Sequence, residues 1–265
     1  MAAESEGTPC WADGTFGDLE RAKRFYGELL GWTFADSMPE YGGYTQAYAD
    51  GKAVAALSPA MPGQEAPNAW CLYLASPDAA ATAAKIRAHG GEVLVEPMRV
   101  GDFGTMVLAT DPGGAAFGVW QAGDHQGFEA RVVPGAFAWA EIYTREPERA
   151  DTFYRAVFGY GVKHLDDASV DFSLYDLGAD PVLGRMKMGE EFPPQVPAHL
   201  NVYFGVADCD AAVEKAKSLG AQLRFGPMTI PFGRFASLTD PQGAVFSLFD
   251  PSTTEGEMPG LTEVA

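Results

Sequence analysis

The stretch E-R-A-K-R-F-Y-G-E-L-L-G-W (Glu20–Trp32) returns later as E-R-A-D-T-F-Y-R-A-V-F-G-Y (Glu148–Tyr160), with Phe25 answered by Phe153 at an offset of 128 residues. A second pair confirms the repeat. D-P-G-G-A-A-F-G-V-W (Asp111–Trp120) is matched by D-P-Q-G-A-V-F-S-L-F (Asp240–Phe249), and Glu96-Pro97-Met98 by Gly226-Pro227-Met228. Two copies at nearly constant spacing make the chain a tandem duplication. The halves fall at about 10–121 and 135–250. The domains are therefore expected at 1–121 and 135–250, joined by a linker at 122–134 and followed by a flexible acidic tail at 251–265.

Each half has its own rhythm. A short alternating strand (Trp11–Thr15; Phe137–Tyr143) leads into a helix that buries Ala22, Phe25, Tyr26, Leu29 and Leu30 at i, i+3, i+4 spacing and stops at a glycine. Strand-like pieces follow, at 43–49 and 53–57. The pattern then restarts: a strand at Ala69–Ala75, an alanine-rich helix at Asp78–His89, and strands at 92–97, 105–110 and 115–120. The second half repeats this order. The expected fold is α+β, with four βαβββ modules, two per domain, each covering the apolar sheet face of another.

The 265 residues carry 36 acidic and 18 basic side chains, a formal charge of −18. That balance excludes nucleic acid and anionic membrane surfaces as partners. Three cysteines, Cys10, Cys71 and Cys209, are too few and too scattered for a disulfide framework or a zinc motif. The polar, acidic N-terminus lacks the basic and apolar regions of a signal peptide. No apolar run approaches the ~18 residues needed to span a bilayer. A cytoplasmic location is expected.

The F-Y-x-x-L-[LF]-G-W helix and the D-P-x-G-x-x-F strand resemble the vicinal oxygen chelate superfamily, the glyoxalase, bleomycin-resistance and extradiol dioxygenase group. The resemblance covers nearly the whole chain. It implies that paired modules curl their sheets into two half-barrels, each around a ligand cavity. Catalytic members of that family hold a divalent metal there through His, Glu or Gln, and other members only bind a drug. The ligand positions fall here on Trp11, Cys71 and Gly118 in the first domain and on Trp139, Asn201 and Ser247 in the second. Trp11 and Trp139 cannot bind a metal, since indole has no free lone pair, so neither domain keeps the set. No metal and no cofactor is expected. His199, two residues from Asn201 on the same strand face, is the one histidine that could join Glu141 in an atypical metal or acid–base site.

Alternation places Trp11, Asp13, Thr15, Cys71, Tyr73 and Gly118 on the cavity face of the first domain. In the second it places Trp139, Glu141, Tyr143, Asn201, Tyr203 and Ser247 there. Met98, Phe103, Met228 and Phe232 are expected at the rims. Rings, soft thioethers and one acid suit a hydrophobic, aromatic ligand, and the acid suits a cationic one. Trp11 or Trp139 would be the stacking platform, and Asp13 or Glu141 the counter-ion. The bland alternatives are sheet packing for Trp139 and Tyr203 and solvated strand ends for the two acids. The Phe-Tyr pairs are read as helix-to-sheet packing, and the D-P-x-G pieces as turns. The expected function is metal-independent binding of an antibiotic or secondary metabolite, in resistance or biosynthesis. The rival is a glyoxalase-like lyase, isomerase or oxygenase built on Glu141 and His199. The chain is expected to be a monomer or a homodimer.

Overall fold

The computed structural model describes residues 4–60, 68–167, 169–257 and 259–264. The first domain runs β1 (Pro9–Phe16), α1 (Leu19–Leu30), β2 (Thr33–Phe34), β3 (Thr45–Ala49) and β4 (Lys52–Pro59), then β5 (Ala69–Ala75), α2 (Ala79–Ala88), β6 (Glu92–Val100), β7 (Gly104–Thr110) and β8 (Ala116–Ala122). The second repeats it as β9 (Phe137–Thr144), α3 (Pro147–Phe158), β10 (Gly161–Leu165), β11 (Phe172–Leu177) and β12 (Asp180–Lys187), then β13 (His199–Gly205), α4 (Cys209–Ser218), β14 (Gln222–Ile230), β15 (Gly233–Thr239) and β16 (Val245–Asp250). The chain is α+β, and all four modules are βαβββ.

Each domain is one sheet made from two modules. The orders are β2-β3-β4-β1-β5-β8-β7-β6 and β14-β15-β16-β13-β9-β12-β11-β10, the second extended past β10 by β17 (Leu261–Glu263). The seams are the antiparallel pairs β1–β5 and β9–β13. Part of the region read as a flexible tail is thus a strand: Leu261–Glu263 pair with Leu165–Lys163 of β10. An unpaired β10 edge offers the backbone hydrogen bonds that this segment takes up. Met258 and Ala265 of that tail lie outside the described residues.

Local chemistry sets the helix ends. Asp18, Asp78 and Asp208 accept from the backbone N–H three residues on, capping α1, α2 and α4. α3 instead starts on Pro147, whose missing N–H costs nothing there. Gly31 and Gly159 end α1 and α3 in the left-handed conformation, φ 74° and 73°.

Alternation along β1 sends Ala12 and Phe16 into the core against the helices and turns Trp11, Asp13 and Thr15 to the helix-free face. The same holds for Ala140 and Ile142 against Trp139, Glu141 and Tyr143 on β9. The Phe-Tyr pairs pack helix against sheet on both domains at once: Tyr26 also meets Phe16 and Trp70 of its own sheet, and Tyr154 meets Tyr175. Tyr26 of α1 packs on Phe246 of β16, and its hydroxyl donates to Asp240 Oδ2 at 3.0 Å. Reciprocally, Tyr154 of α3 packs on Phe117 of β8 and faces Asp111 Oδ2 at 3.5 Å. Trp32 donates to the Gly135 carbonyl, and Tyr160 to the Gly7 carbonyl.

Candidate functional site

On the second sheet, β9 and β13 run side by side with Glu141 opposite Asn201, Tyr143 opposite His199 and Trp139 opposite Tyr203. That register gathers an acid and two phenols. Glu141 Oε2 accepts from Tyr203 Oη at 2.6 Å and from Tyr143 Oη at 2.9 Å, and the two hydroxyls lie 3.3 Å apart. Burial pushes the Glu141 carboxyl up, and hydrogen bonds from Tyr203, Tyr143 and Trp139 pull it partly back. Gly184 of β12 lies opposite Glu141. A Cβ there would come within 2.9 Å of Glu141 Cγ, so the glycine makes room for the acid. Asn201 is buried and donates through Nδ2 to Ser247 Oγ at 2.8 Å. A line of rings runs outward from Tyr203 to Phe235 (6.1 Å) and on to Phe225 (5.9 Å). Phe225 and Met228 are exposed, 52% and 40%, and Phe232 sits half-buried in the turn between β14 and β15.

The first sheet repeats the motif in another form. Asp13 lies opposite Cys71 and is approached by the hydroxyls of Tyr73 and Tyr44. Burial pushes its carboxyl up to about 7, against the pull of those two hydrogen bonds. Tyr44 also accepts the Trp11 indole N–H at 2.7 Å. Here the ring expected as a platform is covered. Trp11 is 3% exposed, with His125 packed edge-on at 4.3 Å and Phe128 at 5.5 Å. Both come from the segment between the domains, which is tied down by hydrogen bonds from Phe128 N to Cys10 O and from Glu129 N to Ala53 O. The first sheet also closes on itself. Tyr41, between β2 and β3, meets Phe103, between β6 and β7, at 5.5 Å, so loops from the two edges of the sheet touch. Met98 remains 47% exposed nearby. Among the described residues, no aromatic pair bridges the corresponding loops of the second sheet.

His199 and Glu141 are not brought together. The imidazole stacks on Tyr143 (5.0 Å, 5° between planes), and its Nδ1 lies 3.0 Å from the Pro197 carbonyl oxygen. Burial lowers its pKa. The positions at which the resemblance implies metal ligands do not fit a divalent cation, which needs several anionic or imidazole donors on one point. Trp11 and Trp139 have no lone pair to give. A Cβ on Gly118 would stand 2.2 Å from the Tyr73 ring, so that ring fills the space a ligating side chain would occupy. Asn201 and Ser247 are neutral and bonded to each other. Among the described residues, no group of three or more His, Cys, Asp or Glu could hold a metal.

Sequence reading missed Tyr44, His125, Phe128 and Phe235. Tyr44 and Phe235 were visible in principle: each sits in a strand-like stretch and alternates with small buried residues. His125 and Phe128 carried no such signal, because they lie in a segment without periodicity. A separate recess of ≈ 310 Å³ around Arg185 is structural in character. Every guanidinium donor is already taken by Asp151, Asp171 or Ser173. Among the described residues, no helix is long and apolar enough to cross a membrane.

Comparison with known proteins agrees with this fold. The family model described as Glyoxalase/Bleomycin resistance protein/Dioxygenase superfamily matches residues 15–119, and a glyoxalase-like domain model matches 139–249. The chain is 40% identical over 253 residues to "Putative glyoxylase CFP32" of Mycobacterium tuberculosis (strain CDC 1551 / Oshkosh), covering 93% of this chain and 96% of that one. It is 36% identical over 264 residues to "Anthracycline biosynthesis protein DauV" of Streptomyces sp. (strain C5), covering 94% and 95%. Among solved structures, the Mn(II)-bound glyoxalase from Novosphingobium aromaticivorans shares the fold, with a TM-score of 0.66 at 18% identity over 96% of this chain and 87% of that chain. The chain belongs to the glyoxalase/bleomycin resistance protein/dioxygenase superfamily, as a member with two such domains in tandem.

Proposed function

We propose that this protein binds a planar aromatic small molecule on a helix-free sheet face, in the setting of secondary-metabolite biosynthesis, and acts without a metal. The observation that carries the reading is the face itself. Where catalytic relatives are expected to place metal ligands stand a tryptophan, an amide or thiol, and a glycine or serine, and beside them lies a carboxyl held by tyrosines. Rings supply stacking area, roughly 0.5–1.5 kcal/mol per aromatic pair beyond burial. A basic amine on the ligand would find Asp13 or Glu141. The likeness to a protein named for anthracycline biosynthesis supports an aromatic ligand class.

Daunorubicin, an anthracycline whose fluorescence reports binding, is the first probe. We expect saturable quenching with a Kd below about 100 μM, near −5.5 kcal/mol, unchanged by prior dialysis against EDTA. An absence of saturation up to that concentration, or binding abolished by the chelator, would overturn the proposal. One observation favours acid–base chemistry as a second reading. Glu141 has its pKa raised by burial and is bonded to two phenols, a combination suited to moving a proton. Turnover of a bound ligand by the wild type that is lost in Glu141→Gln, with binding retained, would favour that reading over simple binding.

A further inference from the structure

Asn201 carries a feature of the second sheet that its own neighbours do not complete. Its side chain is 2% exposed, and its Oδ1 is buried without a hydrogen-bond partner. Leaving such a group unpaired in a buried position is costly. The amide orientation follows from its surroundings. Nδ2 donates to Ser247 Oγ. The amide also faces the Tyr143 hydroxyl as a donor, since that hydroxyl's own proton goes to Glu141. The remaining atom, Oδ1, can only accept. Neither phenol can supply it, because Tyr143 and Tyr203 both donate to Glu141 Oε2.

Among the described residues, the strands of the first sheet carry no such group; the unpaired buried atom there is His125 Nε2, on the ring that covers Trp11. Cys71 stands at the matching register position, opposite Asp13 as Asn201 is opposite Glu141. A thiol is a weak partner in either direction. The ring at Trp11 is sealed by His125 and Phe128, and Tyr41 and Phe103 meet over the sheet. On the second sheet, Trp139 is only half-buried and the ring path through Phe235 to Phe225 leads outward.

We propose that the ligand seats on the second sheet alone and that Asn201 Oδ1 selects aromatic molecules presenting a hydroxyl or N–H donor. This rests on the binding function proposed above. A hydroxylated aromatic would stack along Trp139 and Phe235 and place its donor on Oδ1. An otherwise identical ether would leave that oxygen bare. Sites built to pair a ligand hydroxyl reject the analogue without it because a buried polar group is then stranded.

The test uses the full chain and two probes, 2-hydroxyanthraquinone and 2-methoxyanthraquinone, titrated by tryptophan quenching. The expected result is at least a tenfold preference for the hydroxyl compound in the wild type. That preference should fall to about onefold in Asn201→Leu and stay intact in Cys71→Ala. Asn201→Cys, which installs the residue the first domain folds with, guards against misfolding of the leucine variant and should also lose the preference. Retention of the preference in a folded Asn201 variant, or its loss in Cys71→Ala, would overturn the inference. So would equal affinity of the wild type for the two probes, while leaving aromatic binding itself standing. If neither probe nor daunorubicin bound the wild type, the binding function would fall, and this inference with it.

Discussion

Asp13 shows how one half-buried acid becomes a pH-dependent liability. Its carboxyl is raised from 3.8 to about 7 because burial penalises the charge more than Tyr73 and Tyr44 compensate it. The folded state therefore holds a proton that the unfolded state has released between pH 4 and 7. Stability contributed by this group is present below about pH 4 and declines as pH rises to about 7. In Asp13→Asn that contribution disappears. Relative to wild type, the variant should gain melting temperature between pH 4.5 and 7.5, as read by circular dichroism. An unchanged difference across that range would show that Asp13 is not the source. Gly118 is a second residue-scale case. Its missing side chain is what lets the Tyr73 ring lie across β8. Gly118→Ala should cost about 1–3 kcal/mol by overpacking, seen as a lower urea midpoint at unchanged slope.

The D-P-x-G turns and the Phe-Tyr helices prove to be halves of one device. Asp240 uses Oδ1 to accept from Gln242 N and Ala244 N, closing its own turn, and Oδ2 to accept from Tyr26 of the other domain. Asp111 does the same for Gly113, Ala115 and, more distantly, Tyr154. Tyr26 additionally accepts the Trp70 indole N–H at 2.9 Å. Tyr26→Phe should therefore destabilise by about 1–3 kcal/mol, since it strands a buried carboxylate oxygen and an indole. Tyr154→Phe, whose contact is 3.5 Å long, should cost about 0.5 kcal/mol or less. Chemical denaturation of both variants checks the order. Sequence alone showed that these motifs recur, that they are helix and turn, and which strand faces alternate. It could not show that these helices also reach the opposite domain, because periodicity records which face is apolar and not what covers it. The same limit applied to Trp11. Alternation placed it on the helix-free face, but the cover supplied by His125 and Phe128 came from a segment with no pattern to read. The strand at Leu261–Glu263 escaped for a related reason, since three residues carry too little alternation to stand out in a polar tail.

At the scale of the molecule, the reciprocal contacts tie the two sheets into one unit. Phe25, Tyr26, Trp32 and Trp70 of the first domain touch Phe204 and Phe246 of the second, and Phe117 touches Phe153, Tyr154 and Phe158. We expect the domains to unfold together, as a single calorimetric transition whose van't Hoff and calorimetric enthalpies agree. Two separated transitions would contradict this coupling. Because one chain supplies both sides of the interface, light scattering should return the mass of a monomer. The segment from Ala122 to Pro134 then acquires a meaning beyond connection. By laying an imidazole and a phenyl ring on the first indole, it covers that ring, while the second indole, Trp139, stays half-open. If the second sheet alone seats the ligand, as proposed above, duplication leaves this molecule a spare, and the tether between the copies is its stopper.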